Sequence, residues 1–251
     1  MYTSFHSQYL AHRITLEGHG DDSFAKSLST ARVDMNPHQV DAALFALQSP
    51  LSKGVILGDE VGLGKTIEAC LVIAQKWAER KRRVMLIVPA SLRKQWAQEL
   101  REKFSLSSVI LDAKVYRERL KSGIRRPFEA DDAVVIVSYE FAAGKADDLA
   151  VVDWDLVIFD EAHRLRNVYK KSGSMRAKKL KEALQRPFKM LLTATPLQNS
   201  LMELFGLVSM IDDHHFGDQY SFRTMYAGAR SSPASLSGCC QKKIELGFKL
   251  A

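Results

Sequence analysis

Cysteine, proline, glycine and long apolar runs are all scarce in this 251-residue chain. Three cysteines, Cys70, Cys239 and Cys240, form no Cys-x-x-Cys pair. An odd count without that spacing argues against a disulfide framework or a zinc site, and fits a reducing compartment. Seven prolines and 14 glycines are too few for a collagen-like or low-complexity chain. No stretch approaches the 18 or so consecutive apolar residues that a membrane span needs. Met1 to Leu10 is polar and aromatic, without the basic region and apolar run of a signal peptide. These absences leave a soluble, cytoplasmic chain as the expectation, with no membrane partner.

What is present is globular composition: 46% hydrophobic and 26% charged. Such a chain can bury a core, which excludes wholesale disorder. Its length suits one large domain or two small ones. Lys and Arg number 36 against 29 Asp and Glu, a formal net charge of +7 that favours an anionic partner without identifying it. The excess is local. Arg164 to Lys189 contains ten Lys or Arg and one acid, Glu182, a run of +9 that leaves the remainder slightly acidic. In isolation such a run is an ordinary solvated helical face.

Short Val/Ile/Leu runs recur without polar alternation, at 54–57, 84–88, 109–111, 134–137, 156–159 and 190–192. That pattern predicts strands buried on both faces of a parallel sheet. Helical patterns fall between them, at 66–80, 91–104 and 174–184. In the second, Leu92, Trp96, Leu100 and Phe104 make a core-facing stripe. Alternating strands and helices predict an α/β fold, a mostly parallel sheet with helices on both faces. Residues 1–35 read as an N-terminal extension, 36–228 as the folded lobe, and 229–251 as an irregular Ser-, Gly- and Lys-containing tail.

Gly58 to Thr66 (GDEVGLGKT) lies between a predicted strand and a predicted helix. This is the setting of a phosphate-binding loop, where glycines let backbone N–H groups curl around phosphate oxygens and the helix N-terminus adds positive potential. Lys65 would reach the β- and γ-phosphates, and Thr66 would ligate Mg²⁺. The strict pattern puts its first glycine at position 59, which is Asp here; Gly58 lies one place early. The run 156–159 leads straight into Asp160-Glu161-Ala162-His163, placing two carboxylates at the exit of a buried strand. Asp160 can hold Mg²⁺ through water, while Glu161 can orient and deprotonate the attacking water. The plain alternative for such a pair is a helix N-cap. Asp212, Asp213, His214, His215 and Asp218 offer histidines and acids but no repeated ligand spacing, so a metal site there is disfavoured.

Together, Asp59 to Glu68, Asp160 to Asn167 (DEAHRLRN) and Leu191 to Asn199 (LLTATPLQN) resemble the Swi/Snf-type branch of the superfamily 2 helicases, and its bacterial members most of all. The resemblance spans roughly residues 33 to 228 and implies a RecA-like P-loop NTPase lobe using ATP and Mg²⁺. It assigns Gln39 to the adenine ring, with His38 where an aromatic is usual, and Asp59, Gly62, Gly64, Lys65 and Thr66 to the nucleotide. Thr66 and Asp160 would serve Mg²⁺; Lys65, Asp160 and Glu161 would serve catalysis. His163, Thr193 and Thr195 match the elements that couple nucleotide to nucleic acid. Ser91 and Gln95, within Pro89 to Trp96, and then Ser138 and Tyr139 match contacts to one nucleic-acid strand. Arg164, Lys178 and Lys179 join them if the basic run tracks phosphates.

The family resemblance implies double-stranded DNA as the substrate, with further proteins of a DNA-processing or transcription complex. It also implies a second lobe whose arginines reach the γ-phosphate. No counterpart of that lobe is found in the sequence, so a truncated, weakly active ATP-binding lobe is the expectation. The alternatives are a non-catalytic nucleic-acid-binding or interaction module that retains the motifs and, more remotely, a small-molecule kinase.

Overall fold

The computed structural model describes residues 36–49, 53–58, 64–170, 173–195, 201–224 and 248–249. The apolar runs form strands: β1 Gly54–Leu57, β2 Val84–Val88, β3 Ser108–Ile110, β4 Val134–Ser138, β5 Leu156–Phe159 and β6 Phe188–Leu192. A two-residue β7, Phe248–Lys249, lies in the stretch expected to be irregular and pairs with β1. All pairings are parallel, in the order β3-β4-β2-β5-β6-β1-β7. The strands β1, β2, β4 and β5 are buried at every position. Successive residues feed opposite cores: Val55 and Leu57 face one, Ile56 the other. This two-sided burial is why these strands read as unbroken apolar runs.

One face is covered by α1 Pro37–Leu47, α2 Lys65–Ala78 and α3 Arg93–Phe104. In α3, Trp96, Leu100 and Phe104 are buried as their spacing predicts. The other face carries α4 Ala113–Lys121, α5 Tyr139–Gly144, α6 Ala146–Ala150, α7 Met175–Ala183 and α8 Leu201–Ile211. A further short helix, α9 Gln219–Phe222, buries Phe222.

Side-chain caps start several of these helices. Asp112 accepts from the N–H groups of Lys114 and Val115, Ser138 from Phe141 and Ser174 from Ala177. Pro37 occupies the first turn of α1, where its missing N–H costs nothing. Cys70 is a buried core residue of α2 whose thiol pKa is pushed well up by burial. Among the described residues, no helix is long and apolar enough to cross a membrane.

Candidate nucleotide and nucleic-acid site

In a parallel sheet, the carboxyl ends of the strands share one edge, and here they collect most of the motif residues. β1 leads into the glycine loop, β5 into Asp160-Glu161 and β6 into Thr193. β6 lies between the other two, so Thr193 stands between the phosphate loop and the acidic pair. Its N–H donates to the Leu57 carbonyl at 3.1 Å, and its hydroxyl accepts the Thr195 N–H at 3.2 Å. Thr193 is buried, whereas Thr195 is exposed.

Asp59 and Gly62 lie outside the described residues. Gly64 opens α2 in the left-handed region, at φ +93°, and Lys65 and Thr66 follow in the first turn. That N-terminus supplies the positive end of a 14-residue helix to the loop. Gln39, in the first turn of α1, reaches the same place. Its Oε1 accepts the Asn36 N–H at 3.1 Å, and its Nε2 packs against the α-carbon of Gly64. The expected adenine reader and the last glycine of the loop are therefore neighbours. His38, beside Gln39, is half-buried.

Asp160 is held at every polar atom. Its N–H donates to the Ile87 carbonyl (3.0 Å), and its carbonyl accepts the Tyr139 hydroxyl (2.7 Å). Oδ1 accepts the Glu161 N–H (2.9 Å), and Oδ2 accepts the Trp96 indole N–H (2.8 Å). Burial raises the carboxyl pKa; the Trp96 hydrogen bond opposes this, the Glu161 charge adds to it, and the Lys65 charge draws it down. Each carboxylate oxygen has accepted one hydrogen bond from this set and can accept more. The Asp160 carboxylate and the Thr66 hydroxyl are both hard oxygen donors of the kind Mg²⁺ takes, and these two residues would hold it. Glu161 adopts φ +53°, uncommon for a non-glycine residue, and His163 Nδ1 lies 3.0 Å from its Oε2.

The expected nucleic-acid residues divide. Ser91 and Gln95 are exposed just beyond β2. Ser138 and Tyr139 are buried, the first capping α5 and the second bonding Asp160. Their side chains are committed inside the fold, because both sit where β4 turns into α5. Arg164 is exposed and stacks over the Tyr139 ring, 5.8 Å from its centroid.

The +9 run is contiguous in sequence but not in space. Lys179 is exposed and Lys178 half-buried on α7. Arg176 pairs with Glu140, Arg166 with Glu203 and Lys181 with Asp213. Lys189 is 1% exposed at the opposite edge of the sheet, donating to the Gln185 and Ile211 carbonyls. A single basic face over 164–189 is thus ruled out, because α7 runs away from the nucleotide edge and β6 begins in the core.

The acids at 212–218 are occupied locally. Asp212 accepts the His214 N–H and lies 3.6 Å from Lys53, Asp213 pairs with Lys181, and Asp218 caps α9. Among the described residues, no group of three or more His, Cys, Asp or Glu could hold a metal ion.

Two features escape sequence reasoning. Trp96 reads from its spacing only as part of the core stripe, and nothing there discloses its bond to Asp160. Gly206 in α8 packs directly on the Arg166 carbonyl, so α8 clamps the segment after Asp160-Glu161-Ala162-His163.

A parallel sheet with a glycine loop, an acidic pair and a threonine element along one edge defines a P-loop NTPase lobe. The SNF2-related domain model matches residues 36–243, and the chain belongs to that family. It is 34% identical over 197 residues to the Bacillus subtilis (strain 168) protein named "Uncharacterized ATP-dependent helicase YqhH", covering 78% of this chain and 32% of that protein. It is 37% identical over 197 residues to the RNA polymerase-associated protein RapA of Pectobacterium atrosepticum, covering 76% of this chain and 20% of that one. The chain therefore spans between a fifth and a third of the length of these relatives. The fold matches the Sulfolobus solfataricus SWI2/SNF2 ATPase core solved with dsDNA, at TM-score 0.70 and 20% identity, covering 88% of this chain and 45% of that one. A second structure of that ATPase core domain gives TM-score 0.69.

Proposed function

We propose that this chain is the ATP–Mg-binding lobe of a DNA-dependent ATPase that moves along duplex DNA. The observation that carries this reading is the convergence of Gly64-Lys65-Thr66, Asp160-Glu161 and Thr193 on one sheet edge, with Thr193 bonded to the strand entering the phosphate loop. Lys65 and the first turn of α2 bind phosphates. Asp160 and Thr66 hold Mg²⁺, which when bound neutralises charge on the transferred phosphoryl group. Glu161 orients the attacking water and takes its proton, with His163 fixing the carboxylate. Gln39 faces the base, and Asp59 and Gly62 complete the loop. Thr193, Thr195 and His163 relay between nucleotide and nucleic acid.

The partner is duplex DNA, approached through Ser91, Gln95 and Arg164, with Lys179 and Lys178 further along. Support comes from the exposure of Ser91, Gln95 and Arg164, and from the dsDNA bound to the Sulfolobus solfataricus core that shares the fold. Other proteins of a transcription or DNA-processing complex are proposed from the name of the RapA relatives, and the cytoplasm is the proposed location. Taken alone, this stretch binds ATP weakly and turns over slowly, since arginines supplied from elsewhere contribute on the order of 10³–10⁵ in related phosphoryl transfers.

The test measures ATP binding and hydrolysis by the full chain with and without duplex DNA. Lys65→Ala should abolish Mg–ATP binding, whereas Glu161→Gln should retain binding and lose turnover. Strong DNA-stimulated turnover by this chain alone would overturn the weak-activity claim. Salt-sensitive DNA binding with no nucleotide binding would instead establish the non-catalytic module.

A further inference from the structure

Four hydrogen bonds fix Asp160, and three come from other parts of the chain. The Ile87 carbonyl lies at the end of β2, just before the exposed turn at Ala90 and Ser91. The Trp96 indole comes from the first turns of α3, next to exposed Gln95. The Tyr139 hydroxyl comes from the start of α5 and also carries Arg164 on its ring. Ser91, Gln95 and Arg164, which border these three contacts, are among the residues proposed to face the nucleic acid. Trp96 reaches inward to the Asp160 carboxylate, and Ile87 and Tyr139 hold its backbone, while Ser91, Gln95 and Arg164 are exposed.

We infer that Trp96 is a positioning residue for Asp160, and that Trp96 and Tyr139 together carry nucleic-acid binding into Mg–nucleotide affinity. The inference rests on the functional reading above and names the contacts through which its two sites communicate. Trp96 is 2% exposed, so its packing holds the indole in one place. Its N–H saturates one lone pair of Oδ2, and the Glu161 N–H does the same for Oδ1. With both oxygens pinned, the carboxylate has one orientation, and its remaining lone pairs would be the ones offered to magnesium or its bound water. A hydrogen bond to a charged acceptor is among the stronger ones a buried N–H can make. Partners that orient a metal-side carboxylate typically contribute on the order of 10- to 100-fold in metal affinity. Gln95 and Trp96 are adjacent in the first turn of α3, so a ligand that displaces this turn as a unit would carry the indole with it. Tyr139 holds the Asp160 backbone carbonyl instead, with Arg164 stacked on its ring as the exposed neighbour. Nucleic acid and Mg–nucleotide then influence each other reciprocally, as linkage requires.

The experiment uses the full chain as wild type, as Trp96→Phe, as Tyr139→Phe, and with Trp96 replaced by benzothienylalanine. The last keeps the ring size and lacks only the N–H. Binding of a fluorescent ATP analogue is titrated with Mg²⁺, with and without a short DNA duplex, and the Tm of each protein is recorded. The benzothienyl protein should keep its Tm and its magnesium-independent nucleotide binding. Its half-saturating Mg²⁺ concentration should rise on the order of tenfold, and its response to duplex should shrink toward none. Tyr139→Phe should reduce the duplex response more than the Mg²⁺ affinity. In the wild type, Mg–nucleotide should shift the tryptophan emission, and Trp96→Phe should remove that shift. An unchanged Mg²⁺ midpoint and an unchanged duplex response in the benzothienyl protein would overturn the inference while leaving the functional reading intact. A wild-type chain that binds no Mg–nucleotide would remove the functional reading, and the role of Trp96 with it.

Discussion

The side-chain amide of Gln39 lies over the α-carbon of Gly64, so closely that a β-carbon at position 64 would come within 2.1 Å of its Nε2. The first turn of α1 and the N-terminus of α2 are thereby packed together. Gly64→Ala would strain a backbone at φ +93° and push Gln39 off its bond to the Asn36 N–H. A stability loss of about 1–2 kcal/mol is expected from the left-handed backbone alone, together with loss of nucleotide binding. Thermal melts with and without Mg–ATP check both. Gln39→Ala should instead fold with a small cost and lose preference for adenine over guanine nucleotides.

Lys189 gives the fold a pH dependence in the alkaline range. Burial pushes its pKa down to about 8 from 10.5; Lys53 and Lys181 add to that, and Asp212 and Asp213 oppose it. Between those values the unfolded chain binds the proton more tightly, so stability rises as pH climbs from about 8 toward 10. At about 1.4 kcal/mol per unit, the full effect approaches about 3 kcal/mol. Lys189→Met should flatten most of that slope, as Tm against pH will show.

Gly206→Ala should be severe for so small a change. The added carbon would lie 1.8 Å from the Arg166 carbonyl oxygen, and backbone cannot swing aside as a side chain can. Overpacking of this kind costs about 1–3 kcal/mol or more. Since α8 holds the segment after His163, ATP hydrolysis should fall more than ATP binding does. Chemical denaturation and single-turnover kinetics separate the two effects.

Charge reversal should distinguish the two ends of the basic run. Arg164→Glu with Lys179→Glu should weaken DNA binding and lower its salt dependence by roughly one unit of slope for each phosphate no longer neutralised. Lys181→Glu should leave DNA affinity nearly unchanged and lower stability, because Lys181 answers Asp213 away from the nucleotide edge. DNA titrations at several salt concentrations check this.

The strands were legible because burial on both faces leaves an unbroken apolar signature, and β1, β2 and β5 fall where that signature places them. Helix α8 was not, since LMELFGLVSMI is apolar nearly all round and offers no period of 3.6 to count. Trp96 illustrates a different limit. Its place in the stripe at 92, 96, 100 and 104 already accounts for its burial, so no residue pattern signals that the indole N–H serves Asp160. Charge misled for the opposite reason. Contiguity along the chain suggested one surface, yet Lys189 opens with β6 into the core and Lys181 pairs at the far edge. Motif residues were readable as residue types; which of them touch, as Gln39 and Gly64 do, depended on how α1 crosses α2.

The parallel pairing of β1 with β6 also sets a clock. Val55 faces Met190 across the sheet, 135 residues later. At synthesis rates of about 5–20 residues per second, the strand bearing the phosphate loop waits on the order of ten seconds for that neighbour. Until then its four buried residues lack their β6 partner, a wait typical of non-local parallel pairings. The end of the sheet that bears the glycine motif is thus among the last parts of the lobe to be assembled, and a nascent chain stalled before residue 188 would present an apolar strand to chaperones.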